Sequence, residues 1–234
     1  MSRKLRRQKA AEQLQLQQPQ QEKPRERQQL KALNEEQRDY IRCIHDNNLT
    51  ICMGKSGSGK THVACGMAAQ YLNNGIVDKI ILTRPCVGAE SIGFLPGTQQ
   101  EKVDPYLKPL YTELNYFLDV KQAVKQGKIE VQPIFSMRGL TVKNSFLLAD
   151  EIQNLTFNQW LLLLTRFGDG SKYVLMGDIK QSDLMRNESS GAAIAINRLR
   201  KVATKENQIA IMELERCVRH PMIDIMLGAL ESDS

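Results

Sequence analysis

Between the apolar run Leu49–Met53 and the helix-forming run Thr61–Leu72 lies Gly54-Lys55-Ser56-Gly57-Ser58-Gly59-Lys60-Thr61, a full match to G-x-x-x-x-G-K-[ST]. A strand that turns on glycines and passes straight into a helix leaves few folds open. It predicts an α/β protein with this turn at the C-terminal end of a sheet strand. Glycines let successive backbone N–H groups curl toward phosphate oxygens. Lys60 places a point charge on the β- and γ-phosphates, and the Thr61 hydroxyl is a magnesium ligand. The positive end of the following helix adds to the attraction. Residues Gly54, Lys55, Ser56, Gly57, Ser58, Gly59, Lys60 and Thr61 are therefore expected to hold ATP, with Mg2+ as the second cofactor. A chance glycine turn is the competing reading. Strand, loop, helix and a partner motif downstream weigh against it.

That partner is Asp150-Glu151, which follows the apolar run Phe146–Ala149. A sheet would place both carboxylates at its C-terminal edge, beside the phosphate loop. Asp150 can hold Mg2+, through water, and Glu151 can polarise an attacking water. The bland alternative is a pair of solvated acids after a strand. The adjacent glutamate favours hydrolysis, because a small-molecule kinase has no need to activate water. A third polar block, Gly177-Asp178-Ile179-Lys180-Gln181, also follows an apolar run. Gln181 could sense the γ-phosphate there, although Gly-Asp often marks only a turn.

The rest of the pattern fits a sheet flanked by helices. Asn34 followed by Gln37 resembles a capping box leading into a helix over Glu35–Asp46. Strands are expected at Lys79–Thr83, Ser145–Ala149, Tyr173–Met176 and Ile209–Leu214, with a further strand at Ile129–Phe135. Helices are expected at Thr156–Thr165 and Ser189–Val202. The segment Cys86–Lys128 is rich in Gly and Pro and reads as an insertion with a helix around Leu107–Leu118, a natural place for substrate contacts.

Charge is unevenly placed. Residues 1–31 hold nine Lys/Arg and three Glu, a net +6, and the remaining 203 residues balance to zero. The segment has too few apolar side chains to offset its ordering entropy, so it is expected to be a mobile tail. Two readings fit it: a nucleic-acid contact acting by counterion release, or a solvated leader. Five scattered cysteines without a C-x-x-C pair point to free thiols in a reducing compartment. No apolar run approaches the length of a membrane span.

These motifs together resemble the PhoH family of ATPases, related to superfamily 1 helicases. The resemblance covers Leu33 to about Leu230. It includes Asn34–Gln37, the phosphate loop, Thr83-Arg84-Pro85, Gly93-Phe94-Leu95-Pro96-Gly97 and Glu101–Tyr106. It continues through Met137-Arg138-Gly139, Asp150–Asn154, Leu164-Thr165-Arg166, Gly177–Gln181 with Asp183, and Val218-Arg219-His220-Pro221. Ile152 and Cys217 depart from the family pattern, and neither removes a catalytic group. The resemblance implies one RecA-like P-loop domain over residues 32–234, a mostly parallel sheet flanked by helices. It also implies a link to RNA or single-stranded nucleic acid. By the helicase analogy Gln37 would read the adenine edge, Gln181 the γ-phosphate, and Arg219 would act as an arginine finger; a surface ion pair is the rival role for Arg219. With no nuclease-like domain ahead of the ATPase, the sequence reads as a short form, of a kind also found in bacteriophages.

The leading expectation is thus a cytoplasmic, Mg2+-dependent ATPase acting on RNA or single-stranded DNA. The rivals are an ATPase switch on a protein partner and a nucleic-acid-binding module that binds ATP with little turnover. Intact Lys60, Thr61, Asp150 and Glu151 count against the last. A helicase needs two RecA-like lobes, so a one-lobed chain is expected to assemble, as a ring such as a hexamer in which one subunit's arginine meets its neighbour's γ-phosphate.

Overall fold

In the computed structural model, residues 27–85, 99–178, 191–218 and positions 222, 225, 226 and 229 are described, with the backbone alone for 99–105. The elements run α1 (Glu35–Asp46), β1 (Leu49–Gly54), α2 (Lys60–Asn73), β2 (Lys79–Thr83), α3 (Gln99–Leu114), α4 (Val120–Lys125), β3 (Ile129–Val131), β4 (Ser145–Ala149), α5 (Phe157–Leu164), β5 (Lys172–Gly177), α6 (Gly191–Arg200) and β6 (Ile209–Leu214).

All six strands pair in parallel, in the order β3-β2-β4-β5-β1-β6. This is the RecA-like α/β fold expected from the sequence. Strands β1, β4 and β5 are buried along their whole length, as the apolar runs require of a sheet covered on both faces. One core layer joins alternate strand residues such as Cys52, Ile80, Leu148 and Val174 to α1, α2 and α3. The other joins Ile51, Ile81, Leu147 and Leu175 to α5 and α6.

Parallel register brings the functional strand ends to one edge. Met53 pairs with Gly177, Gly54 with Leu214, and Ala149 with Leu175. Strand β5 separates the loop strand β1 from the acid strand β4, so a cleft opens between the loop and Asp150-Glu151 rather than a direct clash.

Helix α1 starts as the sequence predicts: Asn34 Oδ1 accepts from Gln37 N–H at 2.9 Å. The return bond differs, because Gln37 Oε1 accepts from Leu33 N–H, one residue earlier than the motif's usual partner. At the other end of α1, the buried Lys172 ammonium donates to the carbonyls of Ile44, His45 and Asn47, pinning the helix C-terminus to β5.

Three expectations need correction. Helix α3 begins at Gln99 and ends at Leu114, earlier than the expected Leu107–Leu118. Leu107, Leu110 and Leu114 form its buried stripe against α2, and the helix runs on through Pro105 and Pro109. The Ile129–Phe135 strand stops at Val131, and Ile134–Met137 is a short 3-10 turn. The tail also ends sooner than residue 31. Arg27 pairs with Asp119 at 3.1 Å and donates to the Leu118 carbonyl at 2.6 Å. Gln28 N–H donates to the Tyr116 carbonyl at 2.9 Å, and Leu30 packs on the core. Three charged or main-chain contacts and one packed leucine strap this stretch down. Residues 1–26, to which the mobile-tail expectation otherwise applies, lie outside the described residues.

Candidate nucleotide site

The loop is shaped by what glycine permits. Gly54 has φ +147°, and a Cβ there would lie 2.1 Å from the Leu214 carbonyl oxygen on β6. Gly59, the N-cap of α2, sits at φ +87°, and a Cβ there would meet Gln37 Nε2 at 2.5 Å. Any side chain at either position would push the turn off the sheet or unseat Gln37. Below the loop, Gln37 is 2% exposed and donates to the Ser58 carbonyl at 3.0 Å. With its Oε1 on Leu33 N–H, Gln37 braces the turn against the start of α1. On the outer side, Val218 N–H donates to the Gly57 carbonyl at 3.0 Å.

Lys60 folds back over this turn. Its Nζ donates to the carbonyls of Gly54 at 2.6 Å and Lys55 at 2.8 Å. Burial lowers its pKa, opposed by Cys52 and by Asp178, Asp150 and Glu151. The ammonium is thus held by the curl of the loop and faces three acids across the cleft.

Asp150 is 9% exposed at the end of β4. Burial raises its pKa to about 6, and the neighbouring Glu151 carboxylate adds to the rise; Arg84, the Glu151 N–H and Lys60 oppose it. Glu151 itself stands at φ 57°, ψ 37°, a left-handed conformation that costs a non-glycine residue of order 1–3 kcal/mol. The turn delivers its carboxylate to two donors. Arg84, from the end of β2, reaches Oε1 at 2.9 Å, and Gln153 Nε2 reaches Oε2 at 2.5 Å. Gln153 is fully buried, and its Oε1 accepts from Asp178 N–H at 3.1 Å. Arg84 also donates to the Tyr106 carbonyl on α3 at 3.1 Å.

Lys60, Thr61, Asp150, Glu151 and Asp178 open together on one cleft of about 750 Å³, walled on the far side by Lys108, Thr112 and Glu113 of α3. His62, next to Thr61, pairs with Glu113 at 2.9 Å and rests on Phe117, which fastens α3 to the start of α2. Gln181 and Arg219 lie outside the described residues. Sequence reasoning singled out Arg84, and Gln153 within the Asp150–Asn154 block, without a role, and took His62 for a structural or surface residue. Arg84 meets Glu151 67 residues away, Gln153 meets Asp178 25 away and His62 meets Glu113 51 away, so local spacing does not reveal these contacts.

The donors suit a magnesium-bound nucleoside triphosphate. Thr61 and Asp150 offer hard oxygens of the kind Mg2+ prefers. The buried Asp150 carboxylate, with a raised pKa, gains from a nearby cation. Among the described residues no group of three or more His, Cys, Asp or Glu could hold a metal alone.

Against known proteins, residues 29–231 match the family model described as PhoH-like protein. A PhoH-like protein of Synechocystis sp. is 43% identical over 201 residues, covering 83% of this chain and 60% of the relative. A PhoH-like protein of Bacillus subtilis is 40% identical over 204 residues, covering 85% of this chain and 63% of the relative. The chain thus spans less than two thirds of the length of these relatives. Among solved structures, the Pif1 helicase from Candida albicans aligns with TM-score 0.42 at 14% identity, over 85% of this chain and 44% of that one.

Proposed function

The chain belongs to the PhoH-like protein family, and from that premise we propose that it is an Mg2+-dependent ATPase whose turnover is coupled to RNA or single-stranded DNA. One observation carries the reading. The phosphate loop and the Asp150-Glu151 pair, on strands separated by β5, face each other across a single cleft, with the Glu151 carboxylate already oriented by Arg84 and Gln153.

In this reading residues 32–234, with the strap at 27–30, form the ATPase domain. Backbone N–H groups of Lys55 to Thr61 cradle the phosphates, and Lys60 leaves the loop carbonyls to meet the β- and γ-phosphates. Thr61 and Asp150 would hold the magnesium, which would neutralise charge on the phosphate oxygens. Glu151 accepts a proton from the attacking water, and Arg84 and Gln153 fix which way its carboxylate faces. The adenine contact would fall to the second amide hydrogen of Gln37, since its other polar groups already serve Ser58 and Leu33. Gln181 and Arg219 act at the γ-phosphate. Arg219 reaches it from a neighbouring subunit in a ring, while the bond from Val218 to Gly57 supports the alternative that it acts on its own chain's loop.

The test is ATP hydrolysis with and without oligouridine and oligothymidine. Strong stimulation is expected. Hydrolysis that ignores both would overturn the nucleic-acid coupling and favour a switch acting on a protein partner. Absence of hydrolysis under all conditions would overturn the ATPase reading.

A further inference from the structure

A second cleft of about 760 Å³ lies on the other side of α3, between α3, the turn after it and α4. Its character differs from the nucleotide site. Tyr111 and Tyr116 line it, Tyr116 being 44% exposed, and Val124 adds an exposed apolar wall. Three lysines, Lys108, Lys121 and Lys125, stand around it. All three are exposed, and none forms a close ion pair with a described residue. No acidic residue is among those described as lining it. Asp119, beside the lining residue Val120, is engaged by Arg27, and Glu113, beside the lining residue Thr112, is engaged by His62.

An exposed tyrosine, a second half-buried one and three cations without a close ion pair on a helical surface match one ligand chemistry well. Single-stranded nucleic acid offers stacked bases to the rings and phosphates to the ammonium groups. A nucleoside or apolar small molecule would not use three lysines. The chain's own N-terminal segment is itself basic, so like charge argues against it as occupant. It instead joins the fold at this rim, where Gln28 lines the cleft and donates its N–H to the Tyr116 carbonyl.

We propose that this second cleft binds single-stranded nucleic acid, with bases stacked on Tyr116 and phosphates on Lys108, Lys121 and Lys125. The site rests on the nucleic-acid reading above and deepens it by saying where the strand lies. It also gives a route for coupling. Lys108 and Thr112 of α3 line both clefts. Tyr116 stacks edge-on against His62, with centroids 5.9 Å apart, and His62 follows the magnesium-binding candidate Thr61. A strand seated on Tyr116 therefore presses on the helix that walls the nucleotide site.

The experiment uses the full chain and short fluorescent oligouridine and oligothymidine, with affinity read by anisotropy across a salt series. The double variant Lys121→Glu/Lys125→Glu should weaken binding of both probes and lower the salt slope by about 1.4, since each lost phosphate contact on a single strand contributes about 0.7. Tyr116→Ala should weaken binding roughly 5- to 100-fold, and Tyr116→Trp should keep it, as expected of a stacking platform. If the charge reversals lower the melting temperature, Lys121→Gln/Lys125→Gln carries the same test. Wild-type binding with an unchanged slope and affinity in these variants overturns the cleft and leaves the ATPase coupling standing. The same holds if the reversals alter only the sedimenting mass, which would make this face a contact between copies of the chain. A wild-type chain that binds neither probe overturns both readings.

Discussion

Asp150→Asn should make the metal-free, nucleotide-free protein more stable while abolishing its hydrolysis. The Asp150 carboxyl ordinarily titrates near 3.8, and burial beside Glu151 raises it to about 6. The folded state thus holds the proton more tightly than the unfolded chain does. Stability contributed by the neutral carboxyl is fully present below 3.8 and is lost as pH rises through about 6. Above that, the ionised group costs the fold roughly 3 kcal/mol, from 1.36 kcal/mol per pH unit of separation. Asparagine keeps an acceptor for the Glu151 N–H and carries no charge, so at pH 8 it should recover up to that amount. For a domain of this size the gain is roughly 6–12 °C in Tm. Urea denaturation of both proteins at pH 8 and at pH 4 checks it, and the gain should shrink to about 0.5 kcal/mol at the lower pH. The stabilisation that Mg2+ and ATP confer on the wild type should shrink in the variant. Equal stability at pH 8, or a gain that stays undiminished at pH 4, would refute the argument that an uncompensated buried charge sits at this position.

Lys60→Ala should weaken ATP binding by roughly 10- to 100-fold, the worth of a charged hydrogen bond; titration with a fluorescent ATP analogue measures it, and unchanged affinity would remove Lys60 from the phosphate site. Glu151→Gln should bind ATP and Mg2+ normally and hydrolyse about 10²–10⁴ times more slowly, as loss of a general base predicts; wild-type turnover in a single-turnover assay would assign the water to another residue. Arg219→Ala and Lys60→Ala should each be inactive alone and regain ATPase activity when mixed, because some mixed-ring sites pair an intact Lys60 with a neighbour's Arg219; full activity of the wild type as a dilute monomer would place Arg219 within its own chain.

The loop, the acid pair and the sheet were legible in the sequence because each is local. The buried strands β1, β4 and β5 each read as an apolar run, and Gly54–Thr61 matches a motif of fixed spacing. The expected strands at Lys79–Thr83, Ser145–Ala149 and Ile209–Leu214 coincide with β2, β4 and β6. What stayed hidden depends on contacts across the fold. Pro105 and Pro109 made α3 look broken, while its stability comes from Leu107, Leu110 and Leu114 packing on α2. The bias of residues 1–31 toward Gln, Lys and Arg masked Arg27 and Leu30, where one ion pair and one packed leucine decide the outcome. Glu151 gave no sign of its left-handed backbone, because nothing in Asp-Glu-Ile requires it.

That strained residue is the point where the elements meet. Arg84 brings the end of β2 to the Glu151 carboxylate and, through the Tyr106 carbonyl, ties it to α3. Gln153 brings the end of β5 to the same carboxylate through Asp178 N–H. The group proposed to activate water is therefore fixed by three strands and one helix, at a backbone conformation those contacts must overcome about 1–3 kcal/mol to maintain. Movement of α3 changes the Arg84 contact, and with it the aim of Glu151. Since α3 also carries Lys108 and Thr112 into the second cleft, a ligand there would act, through one arginine, on the carboxylate proposed to activate water, without any need to deform the sheet between them.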